Sequence, residues 1–152
     1  MYQIMYVCHG NICRSPMGEF ICKHLVEKMG LEGKVSVSSS ATSTEEIGNP
    51  VYPPARREMD KRGIPHSPRG AVQITRADGE NYNLILCMDE NNIRNLRRIL
   101  RPEDMGKVKK IRAFSGFDGD VADPWYTGDF STAFQQIYDG TKAMLETLSK
   151  GL

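Results

Sequence analysis

Apolar positions in this chain fall into two short unbroken runs, set among longer stretches where they recur every three or four residues. Ile4 to Val7 and Leu84 to Met88 are the unbroken runs, the pattern of strands buried on both faces of a parallel sheet. Val35 to Ser39 alternates apolar and polar like a strand and runs into a Ser/Thr-rich turn, Ser40 to Thr44, while Val108 to Phe114 reads as the last strand. Between these lie helical patterns. Ser15 as N-cap and Pro16 at the first helical position predict a helix to about Met29, closed by Gly30, with Phe20 or Ile21, Leu25 and Met29 inward. Pro53 to Arg62, closed by Gly63, predicts a helix with a charged, solvated face, and Ile64 to Gly70, with two prolines, reads as loop. Asp89 can cap a helix over Glu90 to Leu100 with Ile93, Leu96 and Leu100 inward and Arg94, Arg97, Arg98 and Arg101 outward. A final helix over Phe130 to Leu148 carries its stripe at Phe130, Ala133, Phe134, Ile137, Thr141, Met144, Leu145 and Leu148. Strands alternating with helices predict an α/β fold: one parallel sheet covered on both faces, with ligands gathering at the carboxyl ends of the strands.

Length changes this picture little. A chain of 152 residues, with no repeat, linker or composition shift, predicts a single domain over 1–152. Twenty basic against nineteen acidic side chains leave a net charge of +1, so nothing general draws the protein to nucleic acid or membrane. No charged leader precedes an apolar segment and no apolar run approaches membrane-spanning length, so the expectation is a cytoplasmic protein. The four cysteines, Cys8, Cys13, Cys22 and Cys87, are expected as reduced thiols, since a chain of this size needs no disulfide framework. Cys22 reads as packing. His9, His24 and His66 show no paired ligand spacing, and no metal is expected.

Chemistry concentrates at the end of the first strand, in Val-Cys-His-Gly-Asn-Ile-Cys-Arg-Ser from Val7 to Ser15. Strand before and helix after put this loop at a helix N-terminus, where backbone N–H groups can converge on an anion. Five residues, His9, Gly10, Asn11, Ile12 and Cys13, separate Cys8 from Arg14. Gly10 can take a positive φ and Asn11 tolerates one, so the loop can turn its N–H groups inward. Arg14 supplies a planar fork for phosphate oxygens, and Cys8 sits at the bottom as a thiolate. Taken singly, Cys8 suits a buried small apolar residue and Arg14 a surface one; strand, spacing, Gly-Asn pair and Ser-Pro helix start together favour attack on phosphorus.

The segment Cys8 to Pro16 resembles the signature loop of the low-molecular-weight protein tyrosine phosphatases, which also stands at the N-terminus in that family. Similarity continues in Ala-Thr-Ser with Glu-Ile-Gly-Asn-Pro (Ala41 to Pro50), in Ile85 to Asn92 and in Asp-Pro-Trp-Tyr (Asp123 to Tyr126), in the family's order along nearly the whole chain. It implies a three-layer domain with four parallel strands in the order 2-1-3-4. One departure stands out. Where many relatives carry His-x-Ala-Arg, this chain has Arg69-Gly70-Ala71-Val72, so a loop-supporting role of that histidine does not transfer.

The resemblance implies hydrolysis of phosphotyrosine and small aryl phosphates through a cysteinyl-phosphate, without cofactor or metal. Free thiols titrate near ~8.5, and the loop N–H groups, helix dipole and Arg14 would all favour the anion. Ser15 can donate to the sulfur, cap the helix, or do both, while Asn11 is expected to brace the loop. Asp123 matches the family's general acid, which as carboxylate then activates water. Trp125 and Tyr126 are expected as walls gripping the substrate ring, with core packing as the alternative. Cys13 is either packing or a redox partner that traps oxidised Cys8 as a disulfide, a pairing the resemblance supports. Expected partners are phosphotyrosine-containing proteins, a tyrosine kinase among the candidates, with inorganic phosphate or vanadate as inhibitors; a monomer is expected. Two rivals use the same loop. A thioredoxin-linked arsenate reductase needs two further cysteines, of which only Cys87 lies in the matching stretch, and a non-catalytic phosphate-binding module would retain Arg14 and the loop but has no need for both Cys8 and Asp123.

Overall fold

The computed structural model describes residues 1–152. Four parallel strands, β1 (Tyr2–Cys8), β2 (Val35–Ala41), β3 (Leu84–Cys87) and β4 (Val108–Lys110), form one sheet in the order β2-β1-β3-β4. β1 lies in the centre, with Cys8 beside Ala41 and Val7 beside Cys87, so its carboxyl end opens at the point where the strand order reverses. Both faces of the sheet are covered. Ile4, Tyr6, Leu84 and Leu86 pack beneath α1 (Arg14–Lys28) and α6 (Phe130–Ser149), while Met5, Val7, Ile85 and Cys87 pack with Leu96 and Leu100 beneath α4 (Glu90–Ile99). Burial on alternate sides explains why β1 and β3 are apolar without interruption.

Two glycines permit the close approach of these layers. A Cβ on Gly18 of α1 would stand 2.2 Å from the Tyr6 ring, and one on Gly140 of α6 would stand 2.4 Å from the Ile111 carbonyl oxygen. Thr141 then places its hydroxyl 2.7 Å from that of Tyr6, which satisfies two buried polar groups inside the apolar stripe.

Several boundaries differ from the sequence expectation. β2 runs to Ala41, because Ser36 and Ser38 to Ser40 hold register with β1 although they break the apolar pattern. β4 stops at Lys110, and Ile111–Ser115 turns into a 3-10 helix rather than continuing as strand. Two short helices were not expected, α3 (Arg76–Asn81) and α5 (Pro124–Thr127). α3 has a capping box, Thr75 with Asp78, which was legible in the sequence. α2 spans Pro53–Lys61, and Glu58 on its charged face is buried, paired with Arg62 at 2.9 Å. No helix is long and apolar enough to cross a membrane.

Candidate active site

The loop from Cys8 to Arg14 leaves the centre of the sheet and enters α1 directly. The helix begins at Arg14, and its N-cap position is Cys13, with no side-chain capping bond. Ser15 is therefore not the cap, and its hydroxyl is directed elsewhere, 3.1 Å from Cys8 Sγ. The backbone N–H groups of Asn11 and Ser15 also donate to this sulfur, at 3.3 and 3.4 Å. Three donors around one sulfur suit a thiolate better than a thiol.

The loop's turn is made at Asn11, the one non-glycine residue with positive φ, at 60°; Gly10 stays outside that region. Asn11 is wholly buried, and its side chain explains how the strained turn is held. Oδ1 accepts from Val72 N–H at 3.2 Å, while Nδ2 donates to Ser15 Oγ at 2.8 Å and Ser39 Oγ at 3.0 Å. Ser15 Oγ accepts from the amide, and its own proton has two acceptors in reach, Cys8 Sγ at 3.1 Å and the Ser40 carbonyl at 3.4 Å. Ser39 Oγ in turn donates a hydrogen bond to Glu19 on α1. Meanwhile the N–H groups of Gly10, Ile12 and Cys13 donate to no acceptor within the protein. Such a group of uncommitted donors has the form of a nest that can receive an anion.

Arg14 is almost fully enclosed, 2% exposed, which a charged side chain tolerates only when paired. Nη1 donates to Asp89 at 2.7 Å and to the Val121 carbonyl at 2.8 Å, and Nη2 donates to Asp123 at 3.3 Å. Burial works against its charge, but Cys8, Asp123 and Asp89 outweigh it, so the guanidinium is held above its ordinary value and stays charged. Three of its five N–H donors are engaged in this way, and two are left for a ligand.

Asp123 stands after the last strand, at the N-cap of α5, where Oδ1 accepts from Trp125 N–H at 3.1 Å while Oδ2 meets Arg14. This cap turns Trp125 and Tyr126 outward. Trp125 is half exposed, its ring tilted on Tyr52 at 4.7 Å, and Tyr126 is 82% exposed, so neither is a core residue. Cys8, Arg14, Asp123, Trp125 and Tyr126 line one cleft of about 270 Å³, near the lower end of the roughly 300–1,000 Å³ common for small-ligand sites. His9, Gly10, Ile12 and Cys13 complete its floor, with Glu45 and Glu46 at its mouth. His9 points out of the nest to Glu45, at 2.5 Å. No group of three or more His, Cys, Asp or Glu side chains converges as a metal site.

Residues 3–152 match the family model described as low molecular weight phosphotyrosine protein phosphatase. The chain belongs to this family. Among its relatives in the low-molecular-weight phosphotyrosine phosphatase family is the Bacillus subtilis low molecular weight protein-tyrosine-phosphatase YfkJ, 34% identical over 99% of this chain and 97% of that protein. The crystal structure of YfkJ superimposes with a TM-score of 0.94, covering 99% of this chain and 96% of that one. The human low molecular weight phosphotyrosine protein phosphatase is 38% identical over 94% of this chain and 93% of that protein. The three-layer architecture and its 2-1-3-4 strand order are thus those of a phosphatase of this family.

Sequence reasoning missed three supports of this phosphatase site. Asp89 was legible only as the cap of α4, which its Oδ1 indeed serves at 2.8 Å from Asn92 N–H; nothing in the sequence shows that Oδ2 reaches Arg14. Glu19 reads as a solvated helix residue, yet it ends the hydrogen-bond chain from Cys8. Arg69, in the stretch that departs from the family pattern, donates to the Asn11 carbonyl at 2.5 Å. Their sequence separations from the residues they hold, beyond a dozen positions for Asp89 and Arg69, leave no periodic signal.

Proposed function

We propose that Cys8, Arg14 and Asp123 divide between them the hydrolysis of phosphotyrosine, as nucleophile, phosphate clamp and proton carrier. The observation carrying this reading is that Asp123 contacts Arg14 above the same cleft whose floor is Cys8 in its nest. A phosphoryl group settling on the uncommitted N–H groups of Gly10, Ile12 and Cys13, and on the free donors of Arg14, has its phosphorus over the sulfur. Sγ attacks, the S–P bond forms and the P–O bond to the ring breaks in line. Asp123 gives its proton to the departing phenolate. As carboxylate it then takes a proton from water, which attacks the cysteinyl-phosphate and releases inorganic phosphate and the thiolate.

Trp125 and Tyr126 grip the ring, and a cleft of this depth leaves the phosphate of phosphoserine short of the sulfur. Ser15 steadies the thiolate and Asn11 the loop, both by hydrogen bonds. Substrates are phosphotyrosine-containing proteins of the cytoplasm, a tyrosine kinase being one candidate, and inorganic phosphate or vanadate competes for the same nest. The protein works as a monomeric domain over residues 1–152. Cys13 lines the cleft with Cys8 and acts as its redox partner.

Arsenate reduction fits less well, because Cys87 lies wholly buried in β3 and does not line the cleft that holds Cys8, so it is badly placed for a disulfide relay. The deciding experiment measures hydrolysis of an aryl phosphate with chelator present, beside arsenate reduction with thioredoxin. Turnover in the first alone, lost in Cys8→Ser while vanadate still binds, is the expected result. Arsenate reduction, or substantial residual turnover in Cys8→Ser, would overturn the assignment.

A further inference from the structure

Asn11 is the pivot of the anion nest, and its backbone is held as firmly as its side chain. Its carbonyl accepts from Arg69 Nη2 at 2.5 Å, while Arg69 Nη1 reaches the Asn49 carbonyl at 3.4 Å, tying the nest to the loop before α2. The Asn11 carbonyl and the Ile12 N–H belong to one trans peptide unit and point in opposite directions. Holding the oxygen away from the cleft therefore aims the hydrogen into it. That hydrogen is among those of the loop that have no acceptor in the protein. If the unit turned over, a carbonyl oxygen would face the anion instead, and at a residue already at φ 60° the backbone has little intrinsic reason to stay.

We propose that Arg69 is a positioning residue of the nest: it aims the Ile12 N–H at the bound oxyanion and adds a second positive charge beside the Cys8 thiolate. This deepens the phosphatase reading and rests on it. Arg69 is half-buried and does not line the cleft, so it touches neither sulfur nor substrate and acts through the loop. Burial holds its guanidinium somewhat below the ordinary value, with Glu19 and Cys8 opposing that effect, and only Asn11 stands between it and the sulfur: Arg69 binds the Asn11 carbonyl, and the Asn11 N–H donates to Cys8 Sγ. From the cleft side the groups facing Cys8 are Arg14, Asp123, Glu46 and the His9–Glu45 pair. Arg14 is thus the sole strong cation there, set against three carboxylates, and Arg69 supplies the opposing charge from outside the cleft. The guanidinium of Arg69 remains charged across the working pH range.

The test compares the parent, Arg69→Met and Arg69→Lys in two assays: vanadate inhibition, and the rate of iodoacetamide alkylation of Cys8 between pH 4 and 9, mapped by mass. The other thiols stay silent in this range, since burial pushes Cys22 and Cys87 up to about 12 and Cys13 higher still. For Arg69→Met, vanadate should bind about tenfold more weakly, and Cys8 alkylation at pH 6 should fall several-fold. Arg69→Lys should recover the alkylation rate, which follows charge, more fully than vanadate affinity, which follows the two-point hold on the loop. A residue with only a structural part would lower the melting temperature and leave the alkylation profile in place. Should Arg69→Met fail to fold, Arg69→Gln, which keeps an N–H donor without the charge, is read in the same assays. Parent-like vanadate binding and alkylation in either neutral variant overturn the proposal while leaving the phosphatase reading intact. A parent that neither binds vanadate nor reacts first at Cys8 overturns both.

Discussion

Replacing Asp123 by Asn removes a transferable proton and very little else. Asn caps helices as well as Asp does, so the bond from Trp125 N–H, 3.1 Å long, survives the change and α5 keeps its place. What is lost structurally is the charge opposite Arg14. That contact is 3.3 Å long and the Asp123 side chain is 26% exposed, so after allowance for solvent screening it is worth about 0–1 kcal/mol. In a chain of 152 residues this lowers the melting temperature by no more than about 4 °C. Kinetics should respond on another scale. General acid catalysis contributes roughly 10²–10⁴ in rate, about 3–5 kcal/mol of barrier, and only where the leaving oxygen needs the proton. The assay is kcat/KM, which reports the first chemical step, across aryl phosphates running from nitrophenolate to poorly stabilised phenolates. The parent should depend weakly on leaving-group acidity and Asp123→Asn steeply, with losses of about 10²–10⁴ at the poor end and few at the good end. Because the same carboxylate activates water, a good leaving group should also give the variant a burst of one nitrophenolate per protein before a slow phase. Equal losses along the series, with no burst, would refute both halves of the role.

Trp125→Ala should raise KM for phosphotyrosine peptides about three- to tenfold, the value of one aromatic contact, and leave a small alkyl phosphate unchanged; a uniform effect would assign Trp125 to packing on Tyr52. Peroxide should inactivate the parent reversibly, as Cys8 sulfenic acid condenses with the Cys13 thiol to a disulfide and water. Cys13 is held far above the ordinary thiol range by burial first and by the Cys8 charge second, and oxidation of Cys8 removes the second cause when Cys13 must attack. Dithiol should therefore rescue the parent and not Cys13→Ser; equal recovery, with no Cys8–Cys13 link in the mapped peptides, would leave Cys13 as packing.

Local chemistry wrote much of this molecule into its sequence. The unbroken apolar runs of β1 and β3 declare strands buried on both sides, the stripe from Phe130 to Leu148 declares α6, and Asp89 declares the start of α4. The nest was legible for the same reason: Cys8, five spacer residues and Arg14 form one continuous segment, so chain geometry alone brings them together. Even there, the assignment of positive φ to Asn11 rather than Gly10 came from Val72, Ser39 and Ser15, whose bonds to its side chain exist only in the folded state. The capping role of Ser15 failed likewise, because the helix starts two residues earlier once Arg14 is drawn into its pocket and the hydroxyl lies against the sulfur. Tertiary structure alone decided the electrostatics. Asp89, Asp123 and Val121 converge on Arg14 from more than seventy residues away, and Arg69 reaches Asn11 across fifty-eight. Hydrophobic periodicity records which face of an element is buried, since that depends on neighbours one turn or one pleat away. It holds no record of which charged side chain a buried guanidinium will meet, since that partner is chosen by the packing of separate elements at the carboxyl edge of the sheet.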